Sequence, residues 1–394
     1  MTIINSFDFS EKTTRSLEAI NLSAEPIWID DDASLADLCT RWSQQAAIAV
    51  DTEFMRSHTF YPHAGLIQVG DGRACYLIDP LAIKDFAPFA TLMSDERVTK
   101  ILHSSSEDLE VFRFLLGVIP SPLFDTQVAA AFAGFGFSIG YAGLVNATLS
   151  IELSKGETRS DWMQRPLSQS QLHYAALDVA YMPVIYGKLV QILRDHGRLT
   201  WVQDDCADLV RQAKVGSDGS DHWTKVKSAW KLSRQELAIL KQLSDWREQE
   251  ARDRDIPRNR IMKDATLFEL AQRKPERTHQ LSRFEGMPPR TQRTDGETIL
   301  EIIEIARASD ESLFPTSLPA PLVPAQNAYM KVFKHRMREI AETLDLPPEV
   351  LVRKKEYEAF VRSGMAGKWE LPQRLLGWRK QVVGEALLSE AENL

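Results

Sequence analysis

Four carboxylates and one tyrosine stand where they could do chemistry together. They are Asp51 and Glu53 in IAVDTEF, Asp108 in HSSSEDLEVF, and Tyr174 and Asp178 in HYAALDVAYMPVIY. The first pair ends an apolar run, Ala46 to Val50, that reads as a buried strand. Alternate strand residues share a face, so Asp51 and Glu53 project the same way. Tyr174 and Asp178 lie four apart in a helical pattern and also share a face. A cluster of carboxylates suits hard divalent cations, which prefer oxygen ligands. Two such cations are a known solution for phosphodiester hydrolysis. Taken singly, each motif is ordinary. Acids often end strands, Tyr and Asp meet at helical spacing by chance, and Asp108 alone could cap a helix. The ordered set, each member in a suitable element, changes the odds.

That set resembles the ribonuclease D family, in the tyrosine-bearing branch of the DEDD 3′–5′ exonuclease superfamily. Asp51-Thr52-Glu53 matches the first exonuclease motif, His103 to Phe112 the second, and Tyr174 to Asp178 the third. The flanking LIQVGD, YLIDP, FDTQVAA and SDWMQRPL segments fit as well, and the match runs over about residues 25–205. The resemblance implies a ribonuclease-H-like α/β domain with a mixed sheet. It implies two Mg²⁺ or Mn²⁺ ions held by Asp51, Glu53, Asp108 and Asp178, with Tyr174 orienting the attacking water. The implied activity is 3′–5′ exoribonuclease action releasing nucleoside 5′-monophosphates. The implied substrates are tRNA precursors and other small structured RNAs. A DNA repair or proofreading exonuclease could use the same acids, and a non-catalytic RNA-binding protein could keep the scaffold. Intact acids at every motif position argue against the latter.

Other residues near these motifs have plainer readings. Asp79 and Asp125 are expected to brace turns and helix starts. His103 reads as a satisfied structural histidine. Lys155 and Arg159, in SKGETRSDW, are candidates for substrate phosphates, set against solvated loop charges. Gly134, Gly136 and Gly140 do not have the spacing of a dinucleotide-binding loop.

Positioning these groups needs more than one core, and 394 residues predict two or three domains. The predicted divisions are an N-terminal extension over 1–24, an exonuclease domain over 25–210, and helical modules over 219–308 and 325–394. Strands are predicted at Ala46–Val50, Gly65–Val69, Ala74–Ile78 and Thr99–His103, and one helical run from Leu189 to Ala213. Lys214 to Ser220 and the proline-bearing stretch Ser309 to Gln326 read as breaks. Ser233 with Glu236 reads as a capping box opening a long helix. A weak repeat joins the two modules: Asp255-Ile256-Pro257 recurs as Asp345-Leu346-Pro347, and Ile261, Leu267 and Leu270 map onto Leu351, Tyr357 and Phe360. Both modules resemble the HRDC domain, a small helical bundle, the second divergently. That resemblance implies substrate placement, and a chain ending near Leu209 is expected to retain a catalytic core.

Charge divides with the same boundary. The net charge is −8, made of −12 over residues 1–210 and +4 over 211–394. Arg252, Arg254, Arg258, Arg260 and Lys263 form a dense basic run, and Arg258 and Arg260 are candidates for phosphate contact. Three scattered cysteines, Cys39, Cys75 and Cys206, suit a reducing cytoplasm. The N-terminus lacks a signal-peptide pattern, and the charge-free stretch Thr126–Ile151 reads as two packed helices around a glycine-rich loop, with no membrane span expected. No protein partner is legible.

Overall fold

Strand β2, Ala47–Met55, carries the first acidic pair through the middle of a six-stranded sheet. The computed structural model describes residues 25–153, 160–215 and 221–393. Lys155, Arg159 and residues 1–24 lie outside them.

The sheet also contains β1 (Ile27–Ile29), β3 (His63–Gly70), β4 (Cys75–Ile78), β5 (Thr99–Leu102) and β6 (Leu123–Asp125). Their order is β1-β4-β3-β2-β5-β6. β1 and β4 are parallel, as are β2 and β5, and β5 and β6, while β3 and β4 are antiparallel. The sheet is therefore mixed, as expected. The four predicted strands are present, and β2 extends five residues beyond Val50. The two strands missed are three residues each, too short to show a period of two.

Helices of this part are α1 (Asp32–Trp42), α2 (Ala87–Ser94), α3 (Ser106–Leu116), α4 (Thr126–Phe132), α5 (Tyr141–Leu149), α6 (Gln169–Ala180), α7 (Met182–Asp195) and α8 (Leu199–Val215). The single helix predicted from Leu189 to Ala213 is instead broken, because Gly197 takes a left-handed φ of 67° between α7 and α8. Trp42, Ile48, Phe89, Phe112 and Leu189 are fully buried in one core.

The helical half contains α9 (Arg234–Asp253), α10 (Arg258–Ile261), α11 (Asp264–Arg273), α12 (Thr278–Leu281) and α13 (Pro289–Ala308). It continues with α14 (Pro324–Thr343), α15 (Pro348–Leu351), α16 (Lys354–Met365) and α17 (Glu385–Glu392). The expected capping box opens α9: Ser233 accepts from the Glu236 N–H, and Glu236 accepts from the Ser233 N–H. The repeat is structural. Asp255 and Asp345 both take left-handed backbone, with φ of 45° and 50°. A short helix follows each, then a longer one, and all six equivalent apolar residues are buried.

The chain divides into two compact units whose membership departs from chain order. Residues 322–394 belong to the unit with the sheet. Trp378 stacks on Trp201 at 4.4 Å, and Val350 enters the sheet domain's core. Arg379, 2% exposed, forms a double hydrogen bond with Asp205, both distances 2.6 Å. These contacts bear against a separable core ending near Leu209, since such a chain would expose Trp201 and leave Asp205 without Arg374 and Arg379.

The second unit is residues 215–321 together with Met55–His63. Phe60 is 3% exposed in a core with Trp223, Leu237, Leu240 and Leu267. The segment linking β2 to β3 thus packs as part of the helical unit.

Candidate active site

Asp51 and Glu53 leave β2 on one face, and α6 delivers Asp178 to them. Single carboxylate oxygens of Asp51, Glu53 and Asp178 lie within 4.8 Å of one another. Helix α6 reaches this depth because β3 ends in a glycine. A Cβ at Gly70 would lie 2.5 Å from the Val179 carbonyl oxygen, so any side chain there would push the helix away.

The start of α6 is fixed by two devices. Ser168 and Gln171 form a capping box. Just upstream, Arg165 donates to both oxygens of Asp79, at 2.5 and 2.8 Å, and to the Gly65 carbonyl at 2.7 Å. Trp162 packs beside the Tyr174 ring at 6.1 Å. The SDWMQRPL segment therefore works as a strap that sets the helix carrying Tyr174 and Asp178.

Asp108 comes from the first turn of α3 and is 7% exposed. It stands outside the three-carboxylate group: its Oδ1 accepts from the Thr52 hydroxyl at 2.5 Å. The turn before α3 is held by Asp125, which accepts from the N–H groups of Ser104, Ser105, Gln127 and Val128. The bracing role read for Asp79 and Asp125 agrees with these bonds. Thr52 was missed because strand alternation points it away from Asp51 and Glu53, and nothing local signals a partner 56 residues away.

The electrostatics are those of crowded acids, Asp108 buried and the other three half-buried. Burial raises all four carboxyl groups. The neighbouring charges of Asp108, Asp178 and Glu53 push Asp51 further, well above the usual carboxylate range. Glu53 is pushed up to about 8, and Asp108 and Asp178 to about 7. Thr52 and Tyr174 partly offset this by hydrogen-bonding Asp108 and Asp178. Burial, then the charges of Asp178, Glu53 and Asp51, raises the Tyr174 hydroxyl well above its ordinary value. Among the described residues no Lys or Arg pairs with any of the four acids. Crowded, largely desolvated like charges without basic partners fit cations, which would remove both the repulsion and the desolvation cost.

His103 is half-buried, with Nδ1 2.9 Å from the Thr126 hydroxyl and its ring against Tyr141, but it is only partly satisfied, since its Nε2 has no hydrogen-bond partner. The basic run is less open than its sequence suggests. Arg258 pairs with Glu248 at 2.7 Å, and its guanidinium lies 4.7 Å from the centre of the Phe60 ring. Arg254 pairs with Asp295 at 2.6 Å. Arg260 is exposed.

Comparison with known proteins agrees with this geometry. A 3′–5′ exonuclease family model matches residues 26–194, and an HRDC domain model matches residues 236–303. Ribonuclease D of Pseudomonas paraeruginosa is 47% identical over 93% of this chain and 97% of its own. Ribonuclease D of Escherichia coli is 36% identical over 91% and 96%. The crystal structure of Escherichia coli RNase D, described as an exoribonuclease involved in structured RNA processing, superposes with a TM-score of 0.86. It is 34% identical and covers 93% of this chain and 99% of that one. A crystal structure from Bifidobacterium adolescentis, at 24% identity and a TM-score of 0.66, shares the fold. With its carboxylate cluster and these relatives over nearly its full length, the chain belongs to the ribonuclease D family of metal-dependent 3′–5′ exoribonucleases.

Proposed function

We propose that this chain trims 3′ ends of tRNA precursors and other small structured RNAs, releasing nucleoside 5′-monophosphates. The observation that carries the reading is the half-buried trio Asp51, Glu53 and Asp178, with Tyr174 one helical turn before Asp178. Asp51, Glu53 and Asp178 would hold two divalent cations, Mg²⁺ or Mn²⁺, with Asp108 completing the set. When bound, such ions acidify the attacking water and neutralise the leaving 3′ oxygen. Tyr174 orients that water. Its hydroxyl stays protonated at neutral pH, because burial and the adjacent acids oppose a phenolate. Thr52 holds Asp108 ready at the rim of the cluster.

Arg260, Lys155 and Arg159 are assigned to substrate phosphates. Arg258 is assigned a smaller part there, since Glu248 and Phe60 already occupy it. We further propose a cytoplasmic location, supported by three free cysteines, two of them buried.

The test is digestion of 5′-labelled tRNA precursor, a matched unstructured RNA and a matched DNA, with Mg²⁺, with Mn²⁺ and with chelator. Stepwise shortening of the RNA, release of 5′-monophosphates and full dependence on a divalent ion are expected. Preferential shortening of the DNA would make this a DNA exonuclease. Binding of RNA without any shortening would make it a non-catalytic scaffold.

A further inference from the structure

The loop between α4 and α5 holds an aromatic ring open to solvent. Phe137 is 48% exposed. Single exposed apolar residues are common and need no explanation by themselves. This one sits in a loop pinned on both sides. Before it, the Phe135 N–H donates to the Ala130 carbonyl at 3.0 Å, and the Phe135 ring packs on the core. After it, the Ile139 carbonyl accepts from the Gln127 amide at 3.0 Å, and its side chain also packs inward. Between these anchors three residues take left-handed backbone: Gly134, Gly136 and, without glycine's freedom, Ser138 at φ 55°. Strain of that kind persists only where the surroundings impose it, and it gathers at ligand sites.

The loop leads directly to the acids. Tyr141 begins α5, and its hydroxyl donates to the Leu177 carbonyl at 3.0 Å, one residue before Asp178. Phe137 precedes Tyr141 by four residues, so their Cα atoms are at most about 14 Å apart. The loop backbone on either side of Phe137 is open. A Cβ added at Gly136 or at Gly140 would meet nothing within 4 Å. The features add up to an exposed aromatic face on a pinned loop, with open space at its glycines, four residues before the tyrosine that bonds the acid-bearing helix α6.

Resting on the exoribonuclease reading, we infer that Phe137 is a stacking platform for a nucleobase at or next to the 3′ end of the RNA. It is a substrate-positioning residue. It holds the terminal nucleotides while the carboxylates act on the phosphodiester. Because every base has a π-face, the platform tolerates all four bases.

The test compares wild type, Phe137→Ala and Phe137→Trp on one 5′-labelled RNA. The same RNA is also made with an abasic residue at the last or the penultimate position. Phe137→Ala should raise KM roughly 5- to 100-fold, the range seen when one base-stacking aromatic is removed, with kcat little changed. Phe137→Trp should restore KM. One abasic position should cost wild type the same factor and cost Phe137→Ala almost nothing. Binding without a divalent ion gives a second readout. A 3′-terminal 2-aminopurine should be quenched by wild type and by Phe137→Trp, and much less by Phe137→Ala. Equal KM for wild type and Phe137→Ala on active enzyme overturns this inference alone, as does an abasic penalty that survives in Phe137→Ala. A wild type that leaves every RNA intact overturns the exoribonuclease reading and this inference with it.

Discussion

Asp255 accepts a hydrogen bond from the backbone N–H of Phe60 at 3.0 Å, across 195 residues of chain. The same carboxylate accepts from the Tyr61 N–H and meets His63 Nε2, also at 3.0 Å. Arg252 and Arg258 cover the Phe60 ring, with guanidinium carbons 5.0 and 4.7 Å from its centre. A seven-residue span separates Phe60 from Glu53, so the helical unit grips the chain just beyond the acidic strand. Phe60→Ala removes a buried aromatic and should destabilise the helical unit by about 3–5 kcal/mol. Denaturant unfolding followed by tryptophan fluorescence checks this; a loss under about 1 kcal/mol would mean that the segment is only lightly held.

Asp255 also has a pH signature. Burial works to raise its carboxyl, but the Tyr61 N–H, His63 and the Phe60 N–H together lower it below the usual value. A depressed folded pKa contributes stability above the unfolded value of 3.8 and loses it as pH falls through the lower folded one. Asp255→Asn should therefore cost most near neutral pH and progressively less as pH falls below 3.8. Melting temperatures at pH 7 and pH 3.5 test this, and an equal loss at both would contradict it.

The acidic cluster has the opposite sign. Without ions, Glu53 is raised to about 8 and Asp178 to about 7, so their stabilising protonation is complete below about 4 and lost as pH rises to about 8. Metal-free protein should melt lower at pH 8.5 than at pH 6. Added Mg²⁺ or Mn²⁺ should raise the melting temperature more at pH 8.5, since bound cations need ionised acids. Asp178→Asn should abolish RNA digestion while stabilising the metal-free protein at pH 8.5. A folded Asp178→Asn protein that retains more than roughly a tenth of wild-type turnover, a loss far smaller than catalytic groups usually give, would remove Asp178 from the site.

Tyr174→Phe deletes one hydroxyl and keeps the ring beside Trp162. It should lower kcat by roughly 10²–10⁴, the usual range for a positioned proton-handling group, with RNA binding unchanged. Near-normal kcat in single-turnover assays would reduce Tyr174 to a packing residue.

Arg379 and Asp205 form a buried, doubly hydrogen-bonded pair between residues 322–394 and α8. Arg379→Ala should cost somewhat less than the about 3–5 kcal/mol of a fully orphaned buried charge, because Arg374 still lies 3.7 Å from Asp205. Removing residues 322–394 should leave protein that aggregates or melts far lower, checked by light scattering and calorimetry. A soluble truncated chain with wild-type stability would show the pair and the Trp201–Trp378 stack to be incidental.

What the sequence showed was what neighbours in sequence decide. The face shared by Asp51 and Glu53, the Ser233–Glu236 capping box and the repeated D-x-P turn are local patterns, and each is present in the fold. Thr52 on Asp108, Arg165 on Asp79 and Phe60 in the helical core are partnerships across 56, 86 and about two hundred residues. No periodicity encodes such pairs. Arg258 is a mixed case: Glu248 lies ten residues before it, while the Phe60 ring against its guanidinium is a partner that no local pattern signals.

The interleaving of the two units also constrains how a ribosome can deliver this protein. Synthesis runs from the N-terminus at about 5–20 residues per second, and domains usually fold as they emerge. Here the segment Met55–His63 is made early yet has its core partners only after residue 221 onward has been translated. The sheet unit waits longer still, since Trp378 and Arg379 are translated only after residues 215–321 of the other unit. Until then Phe132 and Trp201 lack part of their cover. Nascent chains stalled shortly before residue 379 should therefore be the ones most in need of a chaperone, and premature termination there should be nearly as damaging as termination within the sheet.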